Sequence, residues 1–410
     1  MQFEDTPDEA EFRTRVRDWI DTNAPLDRVK AYRSGQCTRA DLVADARAWQ
    51  WTKYEAGWAC IHWPEVFGGK DAPVIEKVIW DQEEARVSAL NELVSIGQGM
   101  CAPTLIHYAS DGQKLVHLPR IASGEEVWCQ MFSEPSAGSD LAGLHTRAER
   151  KGDGWILNGQ KIWTSWAHEA DFGIILTRTD PTVPKHKGLT MFFIDMRTPG
   201  VDVRTIRQAN GDHVFNEVFL TDVYVPDSQR LGDVNEGWRT SLTTLMNERL
   251  SIGRGIPTGL AEAVDYVVAL ERQVPDFSAG ATFDEKIADW ACQSYGLKFT
   301  SARLIYAVSQ GNEPGPEASI GKLVAGRLMQ EISAETWELT NGQPPADDVD
   351  LRARYNLLHA VLIRSPAVRI EGGSDEILRN IIGERVLGLP AEPRSDKHLA
   401  FNARSNRPQP

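Results

Sequence analysis

The 410-residue chain changes texture twice along its length, and that order constrains its fold more than any single motif. From Glu9 to about Ala122 apolar residues recur at three and four positions, as in Val16, Trp19 and Ile20 or Val74, Val78 and Ile79. This is the spacing of helices with one buried face. Near Val127 it gives way to WILNGQKIWTS, FGIILTRT, LTMFFIDM and EVFLTDVYVP, short runs of β-branched and aromatic residues separated by turn clusters such as KGDG and DPTVPKHKG. These runs predict an antiparallel β domain ending near Leu231. From Gly237 the helical spacing returns through Trp238, Leu242, Leu245, Ile252 and Ile256. The expected organisation is therefore a helical domain over 1–125, a central β domain over 126–235, a helical domain over 236–392 and a polar tail over 393–410 that frays. The chain is mainly α with a central β domain, an order that excludes alternating α/β winding.

Composition removes whole classes of function. A net charge of −14 disfavours nucleic acid, whose phosphates demand Lys and Arg. No apolar run reaches the ~20 residues of a membrane helix, and the polar, acidic MQFEDTPDEAEFRTRVRDWI resembles neither a secretory signal nor a transit peptide, so a cytoplasmic location is expected. The five cysteines show no metal-ligand spacing and read as free thiols, so no metal is expected. No G-x-G-x-x-G follows a strand, and there is no P-loop, nucleophile elbow or zinc helix. The six tryptophans before residue 81 fit packing better than ligand contact.

Two segments carry chemistry. SEPSAGSD, residues 133–140, joins hydroxyls, a proline and small residues in a turn that can offer N–H and O–H groups to an anion or a polar ring edge. Alone, its composition fits a surface loop equally well. In NGQKIWTSWAHEAD, Trp163 and Ser165 stand two apart in a strand, which places an aromatic plane and a hydroxyl on one side. That pairing suits a stacked heteroaromatic ligand, or a core tryptophan beside a satisfied serine.

Together with GWACIHWPEVFGG, LPRIASGEEVWCQMFSEPSAGSDL, LNGQKIWTSWAHEAD, VFLTDVYVPDSQRLGDVNEGW and IIGERVLGLP, these segments make the chain resemble the acyl-CoA dehydrogenases from about residue 5 to 390. The resemblance implies an N-terminal helical domain, a middle β-barrel and a C-terminal four-helix bundle. It also implies FAD, an acyl-CoA substrate, α,β-desaturation and an electron-transferring flavoprotein as acceptor. By the same resemblance Met131, Phe132 and Ser133 would run along the flavin, and Gly138 and Ser139 would touch its pyrophosphate side and the entering thioester. Trp163 would flank the isoalloxazine, Ser165 would bond near N5, and Ser374 would also lie at the cofactor. Ser165 stands where many relatives have Thr.

The reaction needs a carboxylate base. Many relatives carry it in a Tyr-Glu-Gly-Thr stretch before the last helix. Aligning on Glu376, Ile377, Leu378 and Arg379 of RIEGGSDEILRN puts Gly372 at the base and Glu371 at the tyrosine. A minority carry the base on an earlier helix in a Glu-Arg pair, matched here by Glu248 and Arg249 of TTLMNERLSIGRG. Glu248 is the expected base and Glu371 the weaker choice; Arg249 is a helper for substrate or an ion-pair member. Asp375 and Glu376 read as first-turn charges of a helix.

In homotetrameric relatives a neighbouring subunit holds the adenosine half of FAD through Arg-x-x-Phe-Gly and Gln-x-x-Gly-Gly-x-Gly motifs. Here those places read SAGATFDEKIADW and ELTNGQPPADDVD, and lack both. The expectation is a heteromer resembling the α2β2 acyl-CoA dehydrogenases of bacterial steroid side-chain breakdown, with a homo-oligomer, a non-catalytic or half-site subunit and an acyl-CoA oxidase as alternatives. An earlier-helix base suits a branched or steroid side-chain acyl group.

Overall fold

The computed structural model describes residues 5–33, 36–253, 258–309, 315–342, 348–393 and 398–404. The chain divides into two compact units, Thr6–Glu248 joined by the segment from Glu392, and Arg249–Ala391.

In the first unit, the opening helices pack on a sheet that follows them in sequence. Thr6 and Thr38 each close a capping box, starting helices Pro7–Asn23 and Arg39–Glu55, and Ser110 does the same for Asp111–Ser123. The sheet has eight strands: β1 (Trp128–Met131), β2 (Arg147–Lys151), β3 (Gly154–Ser165), β4 (Phe172–Arg178), β5 (Leu189–Asp195), β6 (Val201–Thr205), β7 (Phe215–Pro226) and β8 (Arg230–Leu231). Its order is β6-β7-β3-β2-β4-β5-β8, with β1 against β4. Most pairs are antiparallel, but β1 lies parallel to β4, and β2 meets β4 in parallel at Arg147 and Arg178. The sequence gives no sign of these parallel contacts, because strand composition does not report direction.

Burial explains why β4 and β5 read as unbroken apolar runs. Ile174, Leu176, Met191 and Phe193 pack towards the helices, in one core with Leu105, Leu118 and Ile121. The alternate residues Ile175, Phe192 and Ile194 face a second core with Met131, Leu157, Val218 and Val223. Both faces are covered along the middle of each strand, so Ile174–Leu176 and Met191–Ile194 are apolar without alternation. Each fully buried large side chain contributes roughly 1.5–3 kcal/mol. The first core is shared by helices and sheet, which makes the N-terminal helical and β segments one unit.

In the second unit, helices Leu260–Gln273, Ala281–Ser309, Ala318–Glu338 and Val349–Val368 surround a core of Tyr266, Leu270, Trp290, Leu328, Ile332 and Leu358. Among the described residues no helix is long and apolar enough to cross a membrane. The segment expected to fray does not do so throughout. Ala400 pairs with Pro184, and Phe401–Arg404 form a short helix.

A buried polar knot fixes the N-terminal helices. Glu84 accepts from Lys53 Nζ at 2.7 Å, Trp49 Nε1 at 3.1 Å and Trp80 Nε1 at 2.9 Å. Burial pushes the Glu84 carboxyl up, but the Lys53 ammonium and these bonds outweigh it and hold it below its ordinary value. Glu84→Ala removes the counter-charge of a buried ammonium, which keeps its bond to Asn91, and takes the acceptor from two indole N–H groups in the core. Urea unfolding should show a loss of about 3–5 kcal/mol, and a loss below ~1 kcal/mol would contradict this reading.

Candidate active site

Lys161 organises the site. Its side chain is 0% exposed and its partner Glu134 only 4%, and Nζ donates to Glu134 Oε1 at 2.9 Å and to the Phe132 carbonyl at 3.0 Å. Glu134 also receives the backbone N–H of His145 at 2.6 Å and of Thr146 at 2.9 Å. One carboxylate therefore closes the loop 134–146 on itself and fastens it to β3. The Ile162 N–H adds a bond to the Ser133 carbonyl at 3.0 Å. Gly159 permits this approach, since a Cβ there would lie 2.4 Å from Thr146 Oγ1. Within the loop, Glu134 and Ala137 exchange two backbone bonds of 3.0 Å around Pro135 and Ser136, a tight turn with proline at its favoured position.

The loop presents small groups outward. Gly138, Ser139 and Asp140 are exposed, and a Cβ at Gly138 would meet no atom within 4 Å. Ser133 is half-buried. Met131 and Phe132 are different: their side chains are buried in the two cores on opposite sides of the sheet, so what they can offer a ligand is main chain.

Trp163 stands beside this loop in an unusual state. It is 56% exposed, with φ of 59°, and its ring meets Phe215 edge-on at 5.9 Å. A bulge between Lys161 and Thr164 interrupts the strand there. Simple alternation, from which Trp163 and Ser165 are expected on one side, does not run through that bulge. Burial nonetheless alternates, with Trp163 exposed, Thr164 buried and Ser165 half-buried. Thr164 Oγ1 is buried with no hydrogen-bond partner among the described residues. A bulky residue at positive φ costs of order 1–3 kcal/mol, and such strain clusters at functional sites.

The remaining candidates lie elsewhere in the chain. Glu248 and Arg249 fall in helix Gly237–Gly253, but their side chains lie outside the described residues. In the second unit Ser374 caps helix Asp375–Ile381, its hydroxyl accepting from the Ile377 N–H. Gly372 has φ of 62°, a backbone that disfavours a glutamate. Both Glu371 oxygens are taken by Arg364 Nη2, at 2.7 and 2.8 Å. Asp375 is more than a first-turn charge: it is buried and paired with Arg369. Glu376 does sit in that first turn, and backbone and Ser374 hydrogen bonds hold its carboxyl below the usual range.

The places of the two missing adenosine motifs converge on one shallow groove lined by Thr282, Phe283, Lys286, Glu335, Glu338 and Leu339. Among the described lining residues the cation is Lys286, and it is committed to Glu335 at 2.6 Å. The lining is net negative, the wrong sign for a pyrophosphate. Residues 343–347 of the second motif place lie outside the described residues.

The positioning groups Lys161 and Glu134 escape a sequence reading. Lys161 and Glu134 stand inside quoted motifs, and the available signal is a lysine amid the apolar residues of a strand.

Three family models match in order: the acyl-CoA dehydrogenase N-terminal domain over 6–125, middle domain over 129–223 and C-terminal domain over 235–387. The chain is 38% identical to acyl-CoA dehydrogenase FadE34 of Mycobacterium tuberculosis over 82% of its own length, and spans 45% of that relative. It is 34% identical to acyl-CoA dehydrogenase IpdE1 of Mycolicibacterium smegmatis, covering 93% of this chain and 98% of the relative. The structure is similar to that of the ChsE4-ChsE5 complex from Mycobacterium tuberculosis, with a TM-score of 0.78 and 26% identity over 96% of this chain and 100% of that one.

The Glu134–Lys161 pair makes the first unit acid-sensitive with a definite sign. Burial raises the Glu134 carboxyl, but Lys161 and the loop N–H groups outweigh it and leave it below the ordinary value of a glutamate. Its stabilisation is therefore complete above that value and lost as pH falls through the depressed one. Glu134→Gln should remove this part of the acid slope in pH-dependent unfolding, and an unchanged slope would contradict the assignment. Lys161→Met leaves the buried carboxylate without its counter-charge and should cost about 3–5 kcal/mol.

Proposed function

Since the chain belongs to the acyl-CoA dehydrogenase family, we propose that it desaturates an acyl-CoA thioester between its α and β carbons with FAD as cofactor. The observation that carries this reading is Trp163, a strained and exposed indole fastened through the Lys161 strand to an outward turn of small residues. Among the described residues, no packing contact asks for glycine at 138 or for an exposed tryptophan at 163. A flat polar ring against that corner accounts for both.

In this reading Trp163 flanks the isoalloxazine and Ser165 bonds near N5, with the main chain of Met131, Phe132 and Ser133 along the ring. Gly138 and Ser139 meet the pyrophosphate side and the thioester, and Ser374 also belongs to the cofactor contacts. FAD, when bound, supplies the acceptor for the hydride equivalent leaving the β carbon. The Glu248 carboxylate takes the α-proton. A free glutamate, with pKa near ~4.3, is a weak base, and burial beside an apolar acyl chain strengthens it. Arg249 assists substrate or pairs structurally. Glu371, held by Arg364, is poorly placed to compete.

The acidic groove at the adenosine motif places supports a heteromer in which a related partner subunit holds the adenosine half. The similarity to a two-component complex points the same way. An electron-transferring flavoprotein is the acceptor, and a branched or steroid side-chain acyl group is the substrate.

Glu248→Gln should slow anaerobic flavin reduction by isovaleryl-CoA or a steroid side-chain thioester by about 10²–10⁴-fold, the usual weight of a general base. Glu371→Gln should change it less than roughly fivefold, and the reverse pattern would move the base to Glu371. Purified alone, the chain should carry little FAD, and with its genomic neighbour a full complement. Full occupancy and turnover by the lone chain would reject the partner.

A further inference from the structure

The C-terminal family match ends at residue 387, yet residues 400–402 beyond it are built into the first unit. Ala400 bridges Pro184, the Phe401 N–H donates to the Val183 carbonyl at 2.9 Å, and the Asn402 N–H to the Pro181 carbonyl at 3.0 Å. The Phe401 ring lies 3.6 Å beneath the Arg178 guanidinium and edge-on to His145 at 5.1 Å.

Two routes lead from this segment to the outward turn. Arg178 is buried and donates to the Ala142 carbonyl at 2.6 Å, the Leu144 carbonyl at 3.1 Å and the Lys185 carbonyl at 3.2 Å. Phe401 covers the guanidinium that makes these bonds and excludes water from it, which strengthens them. The second route runs through the loop that Ala400–Asn402 pair with. Lys185 of that loop donates to both oxygens of Asp140 at 2.7 Å, directly beside Ser139. Glu134 anchors the turn from one side, and the Arg178–Lys185 contacts anchor it from the other.

We propose that residues 400–403 form a strap that positions the turn 138–146 for the acyl-CoA thioester, with Phe401 as its positioning residue. This rests on the reading that Gly138 and Ser139 meet the thioester. Hydrogen exchange on the flavin-loaded assembly tests the strap whether or not that reading holds. The Phe401 and Asn402 amides should be protected in the unaltered chain. Phe401→Ala should speed exchange across 138–146 by roughly tenfold while leaving β5 and β7 unchanged. Phe401→Tyr, which keeps the ring, should restore protection. With the thioester that is turned over best, KM should rise about fivefold or more while kcat stays within about twofold, the mark of lost ground-state positioning. Lys185→Met, which cuts the second route alone, should loosen the same turn by a smaller factor, and keeps the test open if Phe401→Ala does not fold. Unprotected Phe401 and Asn402 amides, an unchanged 138–146, or an increase spread evenly over the sheet would each overturn the strap. An absence of turnover in every form would count against the functional reading alone.

Discussion

One buried ammonium holds the candidate site together. Taking Lys161 out of water costs several kcal/mol, and the structure offsets this only because Glu134 and the Phe132 carbonyl are both within 3.0 Å. An apolar pair of similar volume would cost less to bury. What it could not do is collect the N–H groups of His145 and Thr146 onto the same carboxylate. The pair thereby fixes three stretches distant in sequence, around 132–134, 145–146 and 161, in one arrangement. The turn with Gly138 and Ser139 and the shoulder carrying Trp163 are its two outward consequences. The left-handed backbone at Trp163 is affordable because the strand on either side is pinned, by Lys161 before it and by the Asn216 pairing after it.

Much of the architecture is legible in periodicity, because both cores are built from alternation and helical stripes that composition cannot hide. The two-sided burial of β4 and β5 is written in the consecutive apolar residues IIL of FGIILTR and MFFI of LTMFFID. What the sequence conceals is long-range and polar. Lys161 and Glu134 are 27 residues apart, and neither motif announces the other. The bulge before Thr164 has no signature of its own, so strand parity alone could not place Trp163 against Ser165. The polar composition after Pro390 suggests a frayed end. Its single Phe401 finds Arg178 across more than two hundred residues, a match no local reading reveals. Asp375 reads as a simple first-turn charge, and only the fold shows it buried against Arg369.

The second unit explains by what it withholds. The Gly372 backbone leaves no natural place for a glutamate, and the nearest alternative, Glu371, spends its charge on Arg364. The groove at the adenosine motif places carries more acid than base. In the proposed assignment the first unit seats the ring and the thioester, the helix Gly237–Gly253 brings the base, and a partner supplies cation and glycine contacts that this surface lacks.

Flavin affinity across a double-mutant cycle is the sharpest test. Lys161→Met, Glu134→Gln and the double variant would be compared with the unaltered chain, in the assembly that retains flavin. If the pair is a single clasp behind the Trp163 shoulder, breaking either half already releases both segments. The double variant should then bind flavin about as weakly as the worse single one, with the two effects strongly non-additive. Losses that simply add, or an affinity untouched by either change, would contradict the central place given to this pair.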